Sequence, residues 1–423
     1  MLKNAQDVVI STFLKKLDRL QKGKNPNLQH LSDQIVEEKS RTKRNLKSLG
    51  INSELSESDL MEKKWHSVSG FNLRYAYQRA SIKYISKNFF SQIYRAKSRS
   101  KDFSLGKLTS CGQAAISATI LATHKVYPHS RISFLHGGYF ETLLFIKEHG
   151  LKCNFIDAIS QKIKLLYVDS STLPKNFDWH NLKFPTGTLV LFDTTCWPVG
   201  SSQMQLLAQK INASNCIGIF CRSHLKLDTM GMEYGRLGSV AILCPRKREQ
   251  EAGKIFEQIE FYLRHTGGIA STDSIYPFLR NPSFHQAGLK WASKIQTTNA
   301  SFSKILQDQI RIHNLRKIKI VEFDHQLYFW MVIQRRVAEK EKHKLAIKLR
   351  EILSFYQIPA RTIASYPWDF IALTCFEAKA SFGTLHEQKK TVLRISMPGI
   401  INANSPSLAQ AFKYWMFYVN RVQ

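Results

Sequence analysis

Six short apolar runs between residues 131 and 244, each followed by a stretch of helical character, restrict the folds open to this chain more than any other feature. They read RISFLH (131–136), KCNFID (152–157), KIKLLYVD (162–169), TLVLFD (188–193), CIGIFC (216–221) and SVAILC (239–244). Runs that are apolar throughout, with no polar alternation, belong to strands covered on both faces, as in parallel sheets flanked by helices. Segments such as QAAISATILATHK (113–125) and SQMQLLAQKI (202–211) supply the helices. The pattern predicts an α/β domain with a mainly parallel sheet, whose ligands sit beyond the carboxyl ends of the strands.

A chain of 423 residues is too long for one core, so two packed domains and an appendage are expected. Residues 1–105 read as a charged, amphipathic helical segment, broken at KGKNPN (22–27) and LGINSELSES (49–58), with no catalytic signature. Residues 106–270 form the large α/β domain. Residues 271–423 begin with a helical linker running to about 316. They continue with a strand, HQLYFWMVIQ (325–334), a basic helix, and strands FIALTCF (370–376) and TVLRIS (391–396), which together predict a smaller α+β domain. No internal repeat or low-complexity tract occurs.

Several classes are excluded by composition. A hydrophobic content of 43% with 11% aromatics is that of a globular chain. No apolar run reaches the roughly 18 residues of a membrane span, and the N-terminus lacks a secretory signal, so a cytoplasmic protein with no membrane partner is expected. Seven scattered cysteines, with no CxxC or HxxxH pair, point to neither a disulfide framework nor a metal site. The charge is unusual: 61 Lys+Arg against 32 Asp+Glu gives +29, a field that attracts polyanions and steers acidic ligands. It concentrates in 14–48, 83–107 and 335–350, and the last of these alternates in sign as a solvated helix face does. A lysine-rich surface accounts for it better than a nucleic-acid partner, which stays open.

Four places carry residues suited to chemistry. TSCGQAAI (109–116) sets Ser110, Cys111, Gly112 and Gln113 before a helix, whose free N–H groups and dipole can hold a phosphate. A plain N-cap would use the same residues. Asp193 ends a buried strand, where a carboxylate needs a partner. The same position would also suit capping of the next helix. Ser223 and Lys226, in SHLK, follow the strand CIGIFC, and a lysine there can serve as an amine nucleophile. One helix and one strand separate Asp193 from Lys226, which brings both to the same sheet edge. Arg394, in VLRIS, is an arginine among apolar strand residues. It suits bidentate binding of a carboxylate, or a structural ion pair.

In this order the motifs resemble those of fold-type-I pyridoxal-phosphate enzymes, most closely the cysteine/methionine-metabolism lyases and synthases, over roughly residues 105–423. The resemblance implies that SCGQAAI and Ser223 hold the phosphate of pyridoxal 5'-phosphate. It implies that LHGGYFETL puts His136 at the ring-stacking position with Tyr139 nearby. DTT would place Asp193 on the pyridine nitrogen, and SHLK would make Lys226 the Schiff-base residue. SFG (381–383) and RISMPG would give Ser381 and Arg394 to the substrate carboxylate. The chain departs from the family at three positions. His136 replaces a tyrosine, Leu225 a phosphate-binding threonine, and Leu173, in YVDSSTLP, an asparagine. GRLG (235–238) resembles a segment of class I aminotransferases whose arginine binds the phosphate, which would let Arg236 compensate for the lost threonine.

The resemblance implies an amino-acid substrate, β- or γ-elimination or replacement at its side chain, and a homodimer or homotetramer. Transamination is the alternative, supported by Arg236. A catalytically silent protein of the same fold, binding nucleic acid or regulating a partner, is a third reading, motivated by the charge and the departures at 136, 173 and 225.

Overall fold

A computed structural model of the chain describes residues 2–23, 27–51, 94, 105–270, 279, 281–334, 337–363, 368–378 and 390–421, with the strand segments at 66–68, 71–74 and 83–84. The N-terminal region opens with two helices, α1 (Leu2–Lys22) and α2 (Leu28–Ile51). On α2 the residues Leu31, Ser32, Ile35, Glu38, Lys39, Thr42 and Leu46 are buried, the three-to-four spacing of a helix with one inward stripe. Helices were expected throughout 1–105. Instead, β1 (His66–Val68), β2 (Phe71–Arg74) and β3 (Lys83–Tyr84) form a small antiparallel sheet. Aromatic and branched residues recur through this stretch, and such side chains favour a pleated surface over a helix.

A seven-stranded sheet lies at the centre, built from β4 (Leu105–Thr109), β5 (Ile132–Leu135), β6 (Cys153–Ile156), β7 (Leu165–Asp169), β8 (Leu189–Asp193), β9 (Ile217–Ser223) and β10 (Gly238–Leu243). Its order is β4-β10-β9-β8-β7-β5-β6. β10 is antiparallel to both neighbours, and the remaining strands share one direction. All six apolar runs are therefore strands of one sheet. β4 joins it from LGKLT, whose polar residues had concealed it.

The continuous apolar character of these strands reflects two covered faces. Leu165, Tyr167, Leu189, Leu191, Ile217 and Ile219 pack on one side against α3 (Gly112–Val126) and, further along the chain, a helix at Glu249–His265. Leu166, Val168, Val190, Phe192 and Phe220 face the other side, against Met204, Leu207 and Ile211. The helices of this region are α3, α4 (Phe140–Glu148), α5 (Ser202–Ala213) and α6 (Glu249–His265).

The C-terminal region starts with the long α7 (Pro282–Ile312), capped by Asn281, whose side chain accepts from the Phe284 amide at 2.9 Å. A five-stranded sheet follows, of β11 (Ile318–Glu322), β12 (Phe329–Ile333), β13 (Ala360–Thr362), β14 (Ile371–Ala378) and β15 (Lys390–Ser396), in the order β11-β12-β15-β14-β13. α8 (Glu339–Phe355) and α9 (Pro406–Arg421) complete it. Alternation on β15 decides what each face does. Leu393 and Ile395 lie in a core with Leu349, Phe412 and Trp415, whereas Val392 belongs with Trp330 to the core that continues toward the large sheet. Arg394 shares the Val392 face.

Gly238 pairs with both Thr109 and Ser223, and a Cβ placed on it would lie 2.3 Å from the Cys111 carbonyl carbon and 2.4 Å from its oxygen. Both contacts are backbone, so the turn before α3 would have to move. Gly238→Ala is expected to lower unfolding free energy by about 2–3 kcal/mol, as overpacking does, measured by urea titration. A change below about 0.5 kcal/mol would show that the turn yields freely.

Candidate active site

The shared direction of β4, β5, β7, β8 and β9 brings their carboxyl ends to one edge of the sheet, and antiparallel β10 begins there. Thr109, Gly238 and Ser223 stand level on adjacent strands. From Thr109 the chain turns through Ser110 and Cys111 into α3. Cys111 is its N-cap: the sulfur accepts from the Ala114 amide at 3.4 Å. Helix geometry leaves the amides of Gly112 and Gln113 without intrahelical acceptors. A Cβ on Gly112 would meet the Ser223 Cβ at 2.6 Å, so only glycine lets the helix start press against the end of β9. The Ser223 amide donates to Thr195 Oγ1 at 3.1 Å, which ties β9 to the segment leaving β8.

Two aspartates end adjacent strands in register, Asp169 on β7 and Asp193 on β8. Both are buried. Asp193 Oδ1 accepts from the Thr195 amide at 2.9 Å. Asp169 accepts from the amides of Tyr139 and Ser171, each at 2.7 Å. Burial raises the Asp193 pKa, against the Thr195 hydrogen bonds and the charge of Arg222. Burial and then the neighbouring Asp193 push Asp169 up to about 7. Two carboxylates so placed call for a cation or a proton between them.

Lys226 begins a one-turn 3-10 helix, Leu227–Thr229, after β9. Lys226 is half-buried, and burial first, then the charge of Arg394, lowers its amine pKa, opposed by Glu233, Cys196 and Glu141. A buried ion-pair network holds the loop beneath it. Arg222 Nε and Nη2 donate to Asp228 at 2.7 and 2.5 Å, and Nη1 donates to the carbonyls of Thr194 and Trp197. His224 bridges Asp228 at 2.6 Å and Ser239 Oγ at 2.7 Å, and Ser239 meets the Tyr94 hydroxyl at 2.8 Å. Burial opposes the Asp228 charge, but Arg222 and then His224 outweigh it and hold its pKa well below the carboxylate range.

Arg394 comes to this edge from the small sheet. Its guanidinium donates to Thr374 Oγ1 at 3.3 Å and lies 5.5 Å from the centre of the Tyr328 ring. Its charge is felt at Lys226, Tyr139, Tyr328 and His325. Tyr328 donates to the Ser171 carbonyl at 3.0 Å, joining the small sheet to the loop after Asp169.

The fold thus gathers Ser110, Cys111, Gly112, Gln113, Tyr139, Asp193, Ser223 and Lys226 at one edge, with Arg394 facing it. Tyr139 senses both aspartates and Arg394. His136 stands at the same edge in a left-handed conformation, φ 58°, with Nδ1 3.5 Å from Asp157 and its ring edge-on to Phe177. Arg236 is exposed, two residues before Gly238. Thr229 does not take the place of the missing threonine, because its hydroxyl turns back to the Leu225 carbonyl at 2.7 Å. Leu173 is a core residue. Ser381 lies outside the described residues.

Sequence reasoning passed over Asp169, although LLYVD ends as LVLFD does and the same signal finds both. It also passed over Arg222, a charge closing an apolar run. Tyr328 carried no local signal.

No family model and no curated protein matches this sequence. Among solved structures, the aromatic-amino-acid aminotransferase from Burkholderia pseudomallei, covalently bound to pyridoxal phosphate, is similar with a TM-score of 0.51 at 10% identity, over 96% of each chain. Cystathionine gamma synthase from Xanthomonas oryzae pv. oryzae gives 0.49 at 11%, over 79% of this chain and 84% of that one. The 8-amino-7-oxononanoate synthase from Francisella tularensis gives 0.48 at 12%, over 88% and 95%. The first of these shows the fold: this chain has the type I fold of pyridoxal-phosphate enzymes.

The Asp169 carboxyl, raised to about 7 in the fold from about 3.9 in an unfolded chain, contributes stability that is full below pH ~4 and is lost as pH rises through 7. Asp169→Asn removes that loss. Its melting temperature relative to wild type should therefore climb between pH 4 and pH 8 in scanning calorimetry without added ligand. A difference independent of pH would show that Asp169 titrates normally.

Proposed function

We propose that this chain is a pyridoxal-phosphate-dependent enzyme that acts on an α-amino acid, by elimination or replacement at its side chain. One observation carries the reading: a buried pair of carboxylates, a half-buried lysine of lowered amine pKa and an open helix N-terminus share one strand edge. The chemistry of this donor set fits the cofactor. The amides of Gly112 and Gln113, with Ser110 and Ser223, suit a phosphate. Asp193 suits a protonated ring nitrogen, since a cation there relieves the raised carboxyl pKa values. Lys226 would be the residue that holds the cofactor's carbonyl carbon through its amine.

Bound there, pyridoxal 5'-phosphate would supply an electron sink for negative charge developing at the α-carbon of an amino acid. The protein's own groups would do the rest. Asp193, as an anion, would hold a proton on the ring nitrogen. Arg394 receives the substrate carboxylate in its planar fork and thereby turns the α-hydrogen toward Lys226. Lys226, freed when the substrate's amine takes its place, would take that proton, and burial and the charge of Arg394 favour its neutral form. Tyr139 is assigned to the cofactor ring beside His136. Transamination is the alternative, with Arg236, exposed two residues before Gly238, as a further phosphate ligand.

We assign 106–270 to the cofactor-binding domain and 271–423 to the small domain, and place the protein in the cytoplasm. Phe140 and Leu144, 51% and 53% exposed one turn apart on α4 beside Tyr139, support a homodimer closing over this edge. Sedimentation of the holoenzyme should give at least a dimer, and an active monomer at nanomolar concentration would remove that part of the reading.

Borohydride reduction of the holoenzyme followed by peptide mapping should leave the pyridoxyl label on Lys226. A label on another lysine would overturn the assignment. Turnover should need no keto acid, and strict keto-acid dependence would establish transamination instead.

Arg394→Lys keeps the charge but loses the fork, so amino-acid affinity should fall by roughly ten- to a hundredfold with cofactor affinity unchanged. Spectral titration of the variant with individual amino acids measures both. Unchanged affinity with a lowered melting temperature would make Arg394 a structural residue.

A further inference from the structure

The helix α2 carries a lysine at the centre of its buried stripe. Lys39 is 4% exposed, yet it sits among Leu31, Ile35, Thr42 and Leu46, where an apolar residue would be ordinary. Its ammonium meets three separate parts of the chain. It donates to Asp369 Oδ2 at 2.5 Å, ahead of β14, and to the Met230 carbonyl, and it stands 4.7 Å over the Trp291 ring of α7. The cluster is closed on itself: Trp291 Nε1 donates to the other Asp369 oxygen at 3.2 Å, and Ser32 Oγ to the Asp369 carbonyl at 2.8 Å. A lysine has three N–H bonds, and each has a destination here.

Met230 is the informative partner. It follows the 3-10 turn that starts at Lys226, and it holds a left-handed conformation, φ 50°, ψ 36°, as does Glu233, φ 47°. A methionine does not adopt this conformation without support from its surroundings. The next amide, Gly231, donates to the Lys226 carbonyl at 2.9 Å, and the Glu233 amide donates to Thr229 Oγ1 at 3.2 Å. Lys47, two turns along α2, lies 5.7 Å over the Tyr234 ring, and the Lys43 amine senses Glu233. Residues 39, 43 and 47 are spaced four apart and form one helix face laid along 230–234.

We infer that Lys39 is a positioning residue for Lys226: by capturing the Met230 carbonyl it fixes the strained turn whose return hydrogen bond sets the Lys226 backbone. The N-terminal helices, which belong to no motif of the α/β core, are in this sense part of the site. The proposal gives Lys39 no contact with substrate or cofactor. It concerns how Lys226 is held, so it can be tested whether or not the cofactor reading stands. Buried ion pairs add little net stability, so the role inferred for Lys39 is the arrangement of the turn and not a gain in stability.

The test is hydrogen exchange on the full-length protein without added cofactor, with acylation of Lys226 by an amine reagent read by peptide mapping. In Lys39→Met, amides 231–233 should exchange about tenfold faster or more, and Lys226 should be acylated correspondingly faster, while β12 and β15 keep their protection. Lys39→Met alone leaves Asp369 buried without its partner and can fail to fold. Lys39→Met/Asp369→Leu removes both charges, so it should recover the melting temperature and still show the fast loop. That combination separates positioning from stability. Wild-type protection at 231–233 in the folded double variant, or faster exchange spread evenly over the molecule, would overturn the proposal.

Discussion

The guanidinium of Arg222 is fully buried and spends its donors on two loops at once. Two nitrogens grip Asp228, within the turn that begins at Lys226, and the third takes the carbonyls of Thr194 and Trp197, in the segment that begins after Asp193. A buried arginine left without these acceptors would be costly to the fold, so both loops are bound to the same point. The separation of the Lys226 amine from the Asp193 carboxylate therefore depends in part on one rigid, planar group.

The small sheet is tied to the same edge by polar contacts. Tyr328 holds the Ser171 carbonyl, and Asp324 collects the indole N–H groups of Trp179 and Trp197 at 2.8 and 3.0 Å. His325, fully buried and kept neutral with its pKa driven down to about 3 by burial, accepts from the Leu327 amide and packs against Tyr328. Arg394 is presented from this platform, so its reach toward Lys226 is set by neighbours that cannot shift independently.

What the sequence made legible follows from burial on two faces. The six runs from 131 to 244 needed apolar side chains at every position, and this marks strand, layer and edge together. Asp193, Ser223 and Lys226 could be placed at one edge because strand polarity alone decides which end of a run faces the ligand. β4 escaped because its LGKLT lies at the sheet margin and is only partly buried, and β1–β3 because strands of two to four residues carry no period. His136 and Arg236 show what a motif does not carry. A motif fixes the order of residues, whereas side-chain direction depends on a left-handed backbone at 136 and on solvent at 236. Lys39 was invisible for a related reason: in EEKSRTKR every charged residue looks solvated, and its partner is 330 residues away.

That separation has a consequence for how the molecule comes together. Local contacts form first, and the entropy of closing a loop must be overcome before a distant pair can repay it. The large sheet has adjacent strands mostly close in sequence, β4 and β10 excepted. The turn after Lys226 is different, since the ion pair that holds its Met230 carbonyl joins the second helix of the chain to a loop near its end. On a ribosome, the sheet would be complete while this turn still lacked its anchor. Chain order alone thus separates the residues of the α/β edge, complete by Leu243, from the Asp369 carboxylate that the Lys39 anchor requires.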